Sequence, residues 1–403
     1  SLEGKRKEIQ KSKYGVSENR SKLLPQINAI AGYNNNFDPP VSVTDGSSYG
    51  VPYNITKTLQ HSANAGLEMQ MPLFNQTLYT SMSIAKVMEE ISRLSYGKAR
   101  EDVILQISKM YYLGQVTAEQ IMLIKANITR LEELRDITQA FFDNGMSMEV
   151  DLKRVNINLE NLKVQYDNAQ AMMKQQLNML KYIMDYPAEK EIALTPVNTD
   201  SITTVALTGL SENIYELQLS QSQVQLAERQ KKIITNGYIP SLSLTGSWRY
   251  AAYTDKGYHW FHSGPSNQWF RSYGVGLTLR IPIFDGLDKT YKIKKAMIDI
   301  ENKRLAWEDA RKNLQTQYLN AVNDLMNNQR NFKKQKDNYL LAEDVYAVTS
   351  DRYREGIASM TEVLQDEMQM SEAQNNYISA HYNYRVTNLM LLKLTGQIES
   401  LVK

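Results

Sequence analysis

Two stretches of this 403-residue chain run a proline-interrupted strand straight into a helix too long for an ordinary globular core. Between Gly274 and Thr290, Val275, Leu277, Leu279, Ile281 and Ile283 alternate with Gly276, Thr278 and Arg280. That is the period of two of a strand with one apolar and one polar face. Pro282 and Asp285-Gly286 then break the pattern, and from about Lys289 helical spacing runs for roughly 65 residues. Proline cannot donate to a ladder, so it belongs at a strand's end or edge. The same junction stands earlier. Ala65, Leu67, Met69, Met71 and Leu73 alternate with Gly66, Glu68 and Gln70, and Pro72-Leu73-Phe74-Asn75 leads into another long helix. Met71-Pro72-Leu73-Phe74 against Ile281-Pro282-Ile283-Phe284 is an internal repeat at an offset of about 210 residues.

The repeat extends well beyond the junctions. Residues 1 to about 22 read as a polar helix, followed after Pro25 by a strand over about 25–37. A polar loop with Asp38-Pro39-Pro40 and Gly46-Ser47-Ser48 as breakers leads to the second strand, about 62–74. Helical spacing without proline predicts a helix from about Gln76 to Asn144, roughly 100 Å at 1.5 Å per residue. Globular helices average three or four turns, so this length demands a coiled-coil-like partner. Phe142-Asp143-Asn144-Gly145 ends it, and a returning helix runs from about Met148 to Asp185. Its seam, Leu152, Val155, Leu159, Leu162, Tyr166, Ala169 and Met173, keeps a 3-4 heptad spacing. After a crossover from Pro187 to about 210 the order recurs: a helix to about Asn236, strands over about 240–254 and 270–284, and a helical hairpin over about 289–395 turning at Gly356. Gly145 and Gly356, Asp151 and Glu362, Leu152 and Val363, and Tyr166 and Tyr377 share one offset of 211. The expected organisation is two structural repeats, 1–200 and 201–403, in a fold that is mainly α with four amphipathic strands. No further strands are expected.

Composition narrows the function. A net charge of +2 does not indicate a nucleic-acid footprint, and the absence of cysteine excludes a disulfide framework. Tyrosine (25) far outnumbers phenylalanine (8), which suits long, wet helices better than one thick core. No run of 18 apolar residues offers a transmembrane helix. The opening residues read as the end of a helix already under way, so the chain is expected to lack its natural start.

Four strands of about 13 residues, however, exceed the 9–11 that a tilted outer-membrane strand requires. Their charges, Glu68, Arg249 and Arg280, fall on the polar face. Aromatics near the strand ends (Tyr33, Phe37, Trp248, Tyr250, Trp260, Phe261, Trp269, Phe270) suit an interfacial girdle. Closing a barrel takes about eight strands, and open edges are not viable in lipid. Several chains must therefore share one barrel. A soluble sheet packed on a helix is the alternative, but helices this long far outrun such a sheet.

These features resemble the TolC family of outer-membrane efflux channels. The resemblance rests on Leu24-Pro25 and Ile239-Pro240 entering strands, and on Pro72-Leu73-Phe74 and Pro282-Ile283-Phe284-Asp285-Gly286 leaving them. It rests also on the turns, Phe142-x-x-Gly145 with Val150-Asp151-Leu152, and Tyr353-x-x-Gly356 with Glu362-Val363-Leu364. It covers essentially the whole chain. The resemblance implies a homotrimer completing one twelve-stranded barrel, with a helical tunnel continuing into the periplasm. Its implied partners are outer-membrane lipid, a periplasmic adaptor (membrane fusion) protein and an inner-membrane RND or ABC transporter, in efflux or type I secretion.

The resemblance also implies a periplasmic aperture near the Gly145 and Gly356 turns. Glu362 falls where an acid lines the constriction, and three copies of one carboxylate would favour cations. Gln365 stands where the family can carry a second acid, and Asp366 follows it, matching the apolar seam position Val155. Asp151 and Tyr353 are expected to bond and hold the mouth closed. Ala358 replaces a basic partner, for which Arg354 or Arg352 is the substitute.

No phosphate loop, nucleophile elbow or catalytic carboxylate pair is present, so neither an enzyme nor a cofactor is expected. His259 and His262 lack further ligands for a metal, and His61 and His381 stand alone in sequence. The rival functions are a soluble coiled-coil scaffold and the periplasmic adaptor itself. Neither accounts for four strands and the matched proline junctions.

Overall fold

The computed structural model describes residues 2–45, 47–196, 209–255 and 269–402. In chain order the elements are α1 (Leu2–Ser21), β1 (Gln26–Asn35), β2 (Val41–Asp45), β3 (Tyr53–Lys57), β4 (His61–Phe74), α2 (Gln76–Asp143) and α3 (Glu149–Ile183). Then come α4 (Tyr215–Asn236), β5 (Ser241–Thr254), β6 (Trp269–Arg280), α5 (Asp288–Arg354) and α6 (Met360–Leu394). The chain divides into two compact units, one of Glu3–Arg93 with Ser220–Ala306, the other of Leu94–Leu219 with Trp307–Lys403.

The first unit holds an antiparallel sheet in the order β1-β4-β5-β6. Its register aligns Ile27, Met69, Gly246 and Val275 in one row and Asn28, Glu68, Ser247 and Gly274 in the next. Because side chains alternate strictly across a pleat, that register gathers one apolar and one polar face over the whole sheet. Two differences from the expected pattern have local causes. Pro72 stays within β4: it lies beyond the last β1 pair, Gln26↔Gln70, and the ladder with β5 slips between Pro72 and Phe74. On β6 the last pair is Ser241↔Arg280, and the strand stops before Pro282, which has no N–H to offer.

The expectation of no further strands is corrected by β2 and β3, which pair from Val41↔Lys57 to Asp45↔Tyr53 inside the segment read as a loop. The flanking prolines and glycine mark turns, and a five-residue alternation between them is too short to stand out. The second-half helix, expected directly after the crossover at about 210, also starts later, at Tyr215.

The second unit is held by cores that span helices. At the hairpins, Leu131 and Leu134 of α2, Val155, Leu159 and Leu162 of α3, Tyr346 and Tyr353 of α5, and Met360, Val363, Leu364 and Met370 of α6 form one cluster. Val155, Leu159, Leu162 and Ala169 of the predicted seam are buried, and Leu152, Tyr166 and Met173 half-buried. Each fully buried aliphatic side chain contributes about 1.5–3 kcal/mol, so a heptad seam stabilises helices that propensity alone could not.

Both hairpin turns have the same geometry. Gly145 and Gly356 adopt φ of +73° and +76°, a region nearly closed to other residues. The N–H of Gly145 bonds Phe142 O at 2.9 Å and that of Met146 bonds Phe141 O at 2.8 Å. In the second turn Gly356 bonds Tyr353 O at 2.9 Å and Ile357 bonds Arg352 O at 2.8 Å. These paired bonds satisfy the last helical carbonyls, as a Schellman end requires.

Candidate functional site

In the sheet, the polar face carries a depression of about 490 Å³, lined among others by Asn28, Glu68, Gln70, Thr245, Ser247 and Arg249. Glu68 and Arg249 pair across β4 and β5 within it. The opposite face carries exposed apolar side chains, with Tyr273 78% and Val275 80% exposed and Ile27, Leu67 and Leu277 also open. An exposed apolar face of this extent marks a lipid or partner surface.

The aromatics fall unevenly on it. Tyr33 shares a row with Ala63, Ala252 and Trp269, and Trp248 shares one with Ala29, Leu67 and Tyr273, so they gather toward the loop end of the apolar face. Phe270 does lie near a strand end but opposes Ala251 on the polar face, and Trp248 sits at mid-strand, so the girdle expectation is corrected in face for the one and in position for the other. Arg271, opposite Tyr250, is a charge in the apolar row that the sequence reading overlooked; its guanidinium lies 6.0 Å from the Tyr273 ring centre. Trp260, Phe261, His259 and His262 lie outside the described residues.

The prolines sit where backbone donors are dispensable. Pro25 and Pro240 directly precede β1 and β5, Pro72 occupies the β4 irregularity, and Pro282 follows β6. No described helix is long and apolar enough to cross a membrane.

At the hairpins the candidate aperture residues separate into distinct contacts. Tyr353 is buried; its hydroxyl donates to Thr138 Oγ1 at 3.3 Å, and its ring packs on Phe141. Burial pushes its hydroxyl pKa up, a shift opposed by the Thr138 bond and reinforced by the nearby Asp151 charge. Asp151 pairs with Arg154 at 3.2 Å on its own helix, rather than with Tyr353. Arg154 also reaches Thr361 Oγ1 at 3.5 Å, a contact from α3 to α6. Arg354 pairs with Glu133 of α2 at 3.5 Å and with Asp351 at 3.2 Å.

Glu362 takes up a structural role. Its carboxylate accepts from the Ser359 N–H at 2.8 Å, and Ser359 Oγ accepts from the Glu362 N–H at 3.3 Å. The Ser359 backbone bond is the main cause holding its pKa below the usual carboxylate range. At the offset of 211, Ser359 corresponds to Met148, which caps α3 without any side-chain bond. Gln365 is exposed and lines a groove of about 450 Å³ with Arg154, Ile157, Asn158, Thr361, Leu364 and Met368. Asp366 is half-buried, whereas its counterpart Val155 is fully buried.

Several participants escaped the sequence reading. Arg154 was legible as an i, i+3 partner of Asp151, and Ser359-x-x-Glu362 as a capping box. Asn127 and Gln374, which exchange hydrogen bonds of 2.7 and 3.3 Å, lie 247 residues apart and left no local trace. Nor is His381 alone: it is fully buried beside Phe332 and Tyr377 and accepts from Arg385 Nε at 3.0 Å. Among the described residues no group of three or more metal-ligating side chains converges.

An amphipathic sheet with an exposed apolar face, carried with two glycine-turned helical hairpins, defines a channel-forming outer-membrane protein. The chain belongs to the outer membrane efflux protein family, whose profile matches residues 1–184 and again 206–397. It is 21% identical over 399 residues to the outer membrane protein TolC of Vibrio cholerae, covering 95% of this chain and 84% of that protein. It is 23% identical over 379 residues to the probable efflux pump outer membrane protein TtgC of Pseudomonas putida, covering 89% and 75%. The solved structure of CusC superposes with a TM-score of 0.80 at 16% identity, over 98% of this chain and 88% of that one. The chain is thus an outer-membrane efflux channel of the kind that serves tripartite efflux systems, and not an enzyme.

Proposed function

We propose that three copies of this chain close one twelve-stranded barrel, β6 of each pairing with β1 of the next. The supporting observation is the sheet itself: a depression lies on its polar face, its apolar face is exposed, and β1 and β6 are its edges. Four strands are too few to close, and free edges in lipid leave backbone groups unpaired. The barrel then conducts passively, fed through a periplasmic adaptor by an inner-membrane RND or ABC transporter, for drug efflux or type I secretion. The groove between Arg154 and Met368 offers the adaptor a mixed apolar and polar seat for a helix.

The hairpin tips form the gated mouth in this reading. Asp151, through Arg154 and Thr361, ties the outer hairpin, α2–α3, to the inner one, α5–α6; Tyr353 with Thr138, and Arg354 with Glu133, tie α5 to α2. Glu362 from each copy supplies the acidic lining, with Asp366 and Gln365 within the following turn.

The test is native mass spectrometry of the detergent-extracted protein together with planar-bilayer conductance. A trimer with discrete, cation-preferring conductance is expected; a well-folded monomer that conducts nothing overturns the reading. For the tie, Asp151→Ala is expected to increase antibiotic entry into cells carrying it. Unchanged entry removes Asp151 from the mouth.

A further inference from the structure

Between α2 and the inner hairpin lies a buried donor and a buried acceptor of opposite charge, both unmade. Arg130 of α2 gives Nη1 to Glu343 of α5 at 3.2 Å and Nη2 to Asn127 Oδ1 at 2.5 Å. Its guanidinium lies 6.0 Å from the Tyr346 ring centre, and its Nε, shielded from solvent, has no hydrogen-bond partner among the described residues. Glu367 of α6 is 5% exposed, and its Oε1 likewise has none. The two share one neighbourhood: Met370, one turn beyond Glu367, places Sδ 3.8 Å from Arg130 Nη2.

A buried carboxylate and a buried guanidinium N–H are costly to leave unpaired, and each is what the other lacks. An arrangement that keeps them apart is one that a second, better-paired arrangement can rival. Packed helices move between discrete positions rather than deforming continuously, so such a rival takes the form of a shift of one helix along another.

We infer that Arg130 is an exchangeable clasp, holding Glu343 of α5 in the present conformation and Glu367 of α6 in a second one with α6 displaced along α2. The exchange sets the population of two positions of the inner hairpin. As a mechanism of the mouth it rests on the gated-duct reading above. The groups that bear on Glu367 are Arg130 from α2 and Tyr346 from α5, with Glu343 bound to Arg130 and Arg354 acting on Tyr346. From α3 this core receives the aliphatic side chains of Val155, Leu159 and Leu162. Burial pushes the Glu367 carboxyl up, and the Arg130 charge draws it back. Burial thus makes the carboxylate costly in the present conformation, whereas direct pairing with Arg130 favours it. Rising pH then populates the second position.

The test uses reconstituted protein and thermal unfolding in parallel. In a planar bilayer the wild type is expected to redistribute among its conductance levels as pH rises from mildly acidic to neutral. Glu367→Gln keeps the acid-side distribution throughout, and Glu343→Gln, which frees Arg130, keeps the neutral-side one. In double-mutant cycles of the unfolding midpoint with Arg130→Met, coupling to Glu343 falls and coupling to Glu367 rises over the same range. These cycles need no conduction, so a protein that conducts nothing overturns the duct while they still decide the exchange. A Glu367→Gln channel with the wild-type pH response, or an Arg130–Glu367 coupling that stays at zero at every pH, overturns the clasp.

Discussion

Ser359 and Glu362 cap each other at the start of α6: the Glu362 carboxylate takes the Ser359 N–H at 2.8 Å and the Ser359 hydroxyl takes the Glu362 N–H at 3.3 Å. The acid proposed to line the mouth thus also starts the helix that carries it.

Charge and cap separate by substitution. Glu362→Ala removes the charge and the bond from the Ser359 N–H, leaving the Ser359 hydroxyl on the N–H of residue 362, and is expected to lower the thermal midpoint. Glu362→Gln keeps a capping-box side chain and removes only the charge. Both variants are expected to lose cation preference in reversal-potential measurements, and only Ala to shift the thermal midpoint. Cation preference surviving in Glu362→Gln removes the carboxylate from the mouth.

The sheet's faces are tested by adjacent residues on β6. Leu277 lies in the exposed apolar row and Thr278 in the polar one. Leu277→Arg is expected to cost about 2–4 kcal/mol in folding into lipid vesicles if it sits near the bilayer midplane. Thr278→Arg faces the lumen in this reading and should cost far less. Equal costs in urea titrations of the lipid-folded protein would reject the face assignment.

Glu101 of α2 makes stability depend on pH. It is buried, which pushes its carboxyl from 4.5 up to about 7; Lys393 opposes the shift, and Glu399 and Asp102 add to it. The native state holds this proton where the unfolded chain has released it. Its contribution is therefore full below the unfolded value and is lost as pH rises through about 7. The thermal midpoint of Glu101→Gln should be flatter across this window than that of the wild type. Parallel curves would show that Glu101 does not titrate there.

The turns are limited by backbone rather than by space. A Cβ at Gly356 meets nothing within 4 Å, but the residue holds φ at +76°. Gly356→Ala is expected to cost about 1–2 kcal/mol, and Gly356→Asn less, since Asn tolerates the left-handed region. An Ala variant as stable as the wild type by thermal unfolding would contradict the strain.

Much of this was legible locally. Val275 to Leu279 disclose a strand with two chemically distinct faces, and Gly145 and Gly356 a pair of helix stops, because each pattern arises from neighbours in the chain. The short β2–β3 pair was not, since five residues between breakers carry too little alternation. Asp151 was matched to Tyr353 through family likeness, whereas its pairing with Arg154 was already present as a spacing of three.

By itself the sequence determined the strand faces, the proline junctions, the hairpin stops and the heptad seam, all of which follow from backbone limits and periodic burial over a few residues. Only the tertiary structure decided that Arg354 reaches Glu133, that Arg154 reaches Thr361, and that Arg130 meets Glu343 while Glu367 goes unpaired. Those outcomes depend on helices more than 200 residues apart in sequence, whose rotation against one another is set by the packing of the whole core and by no single segment.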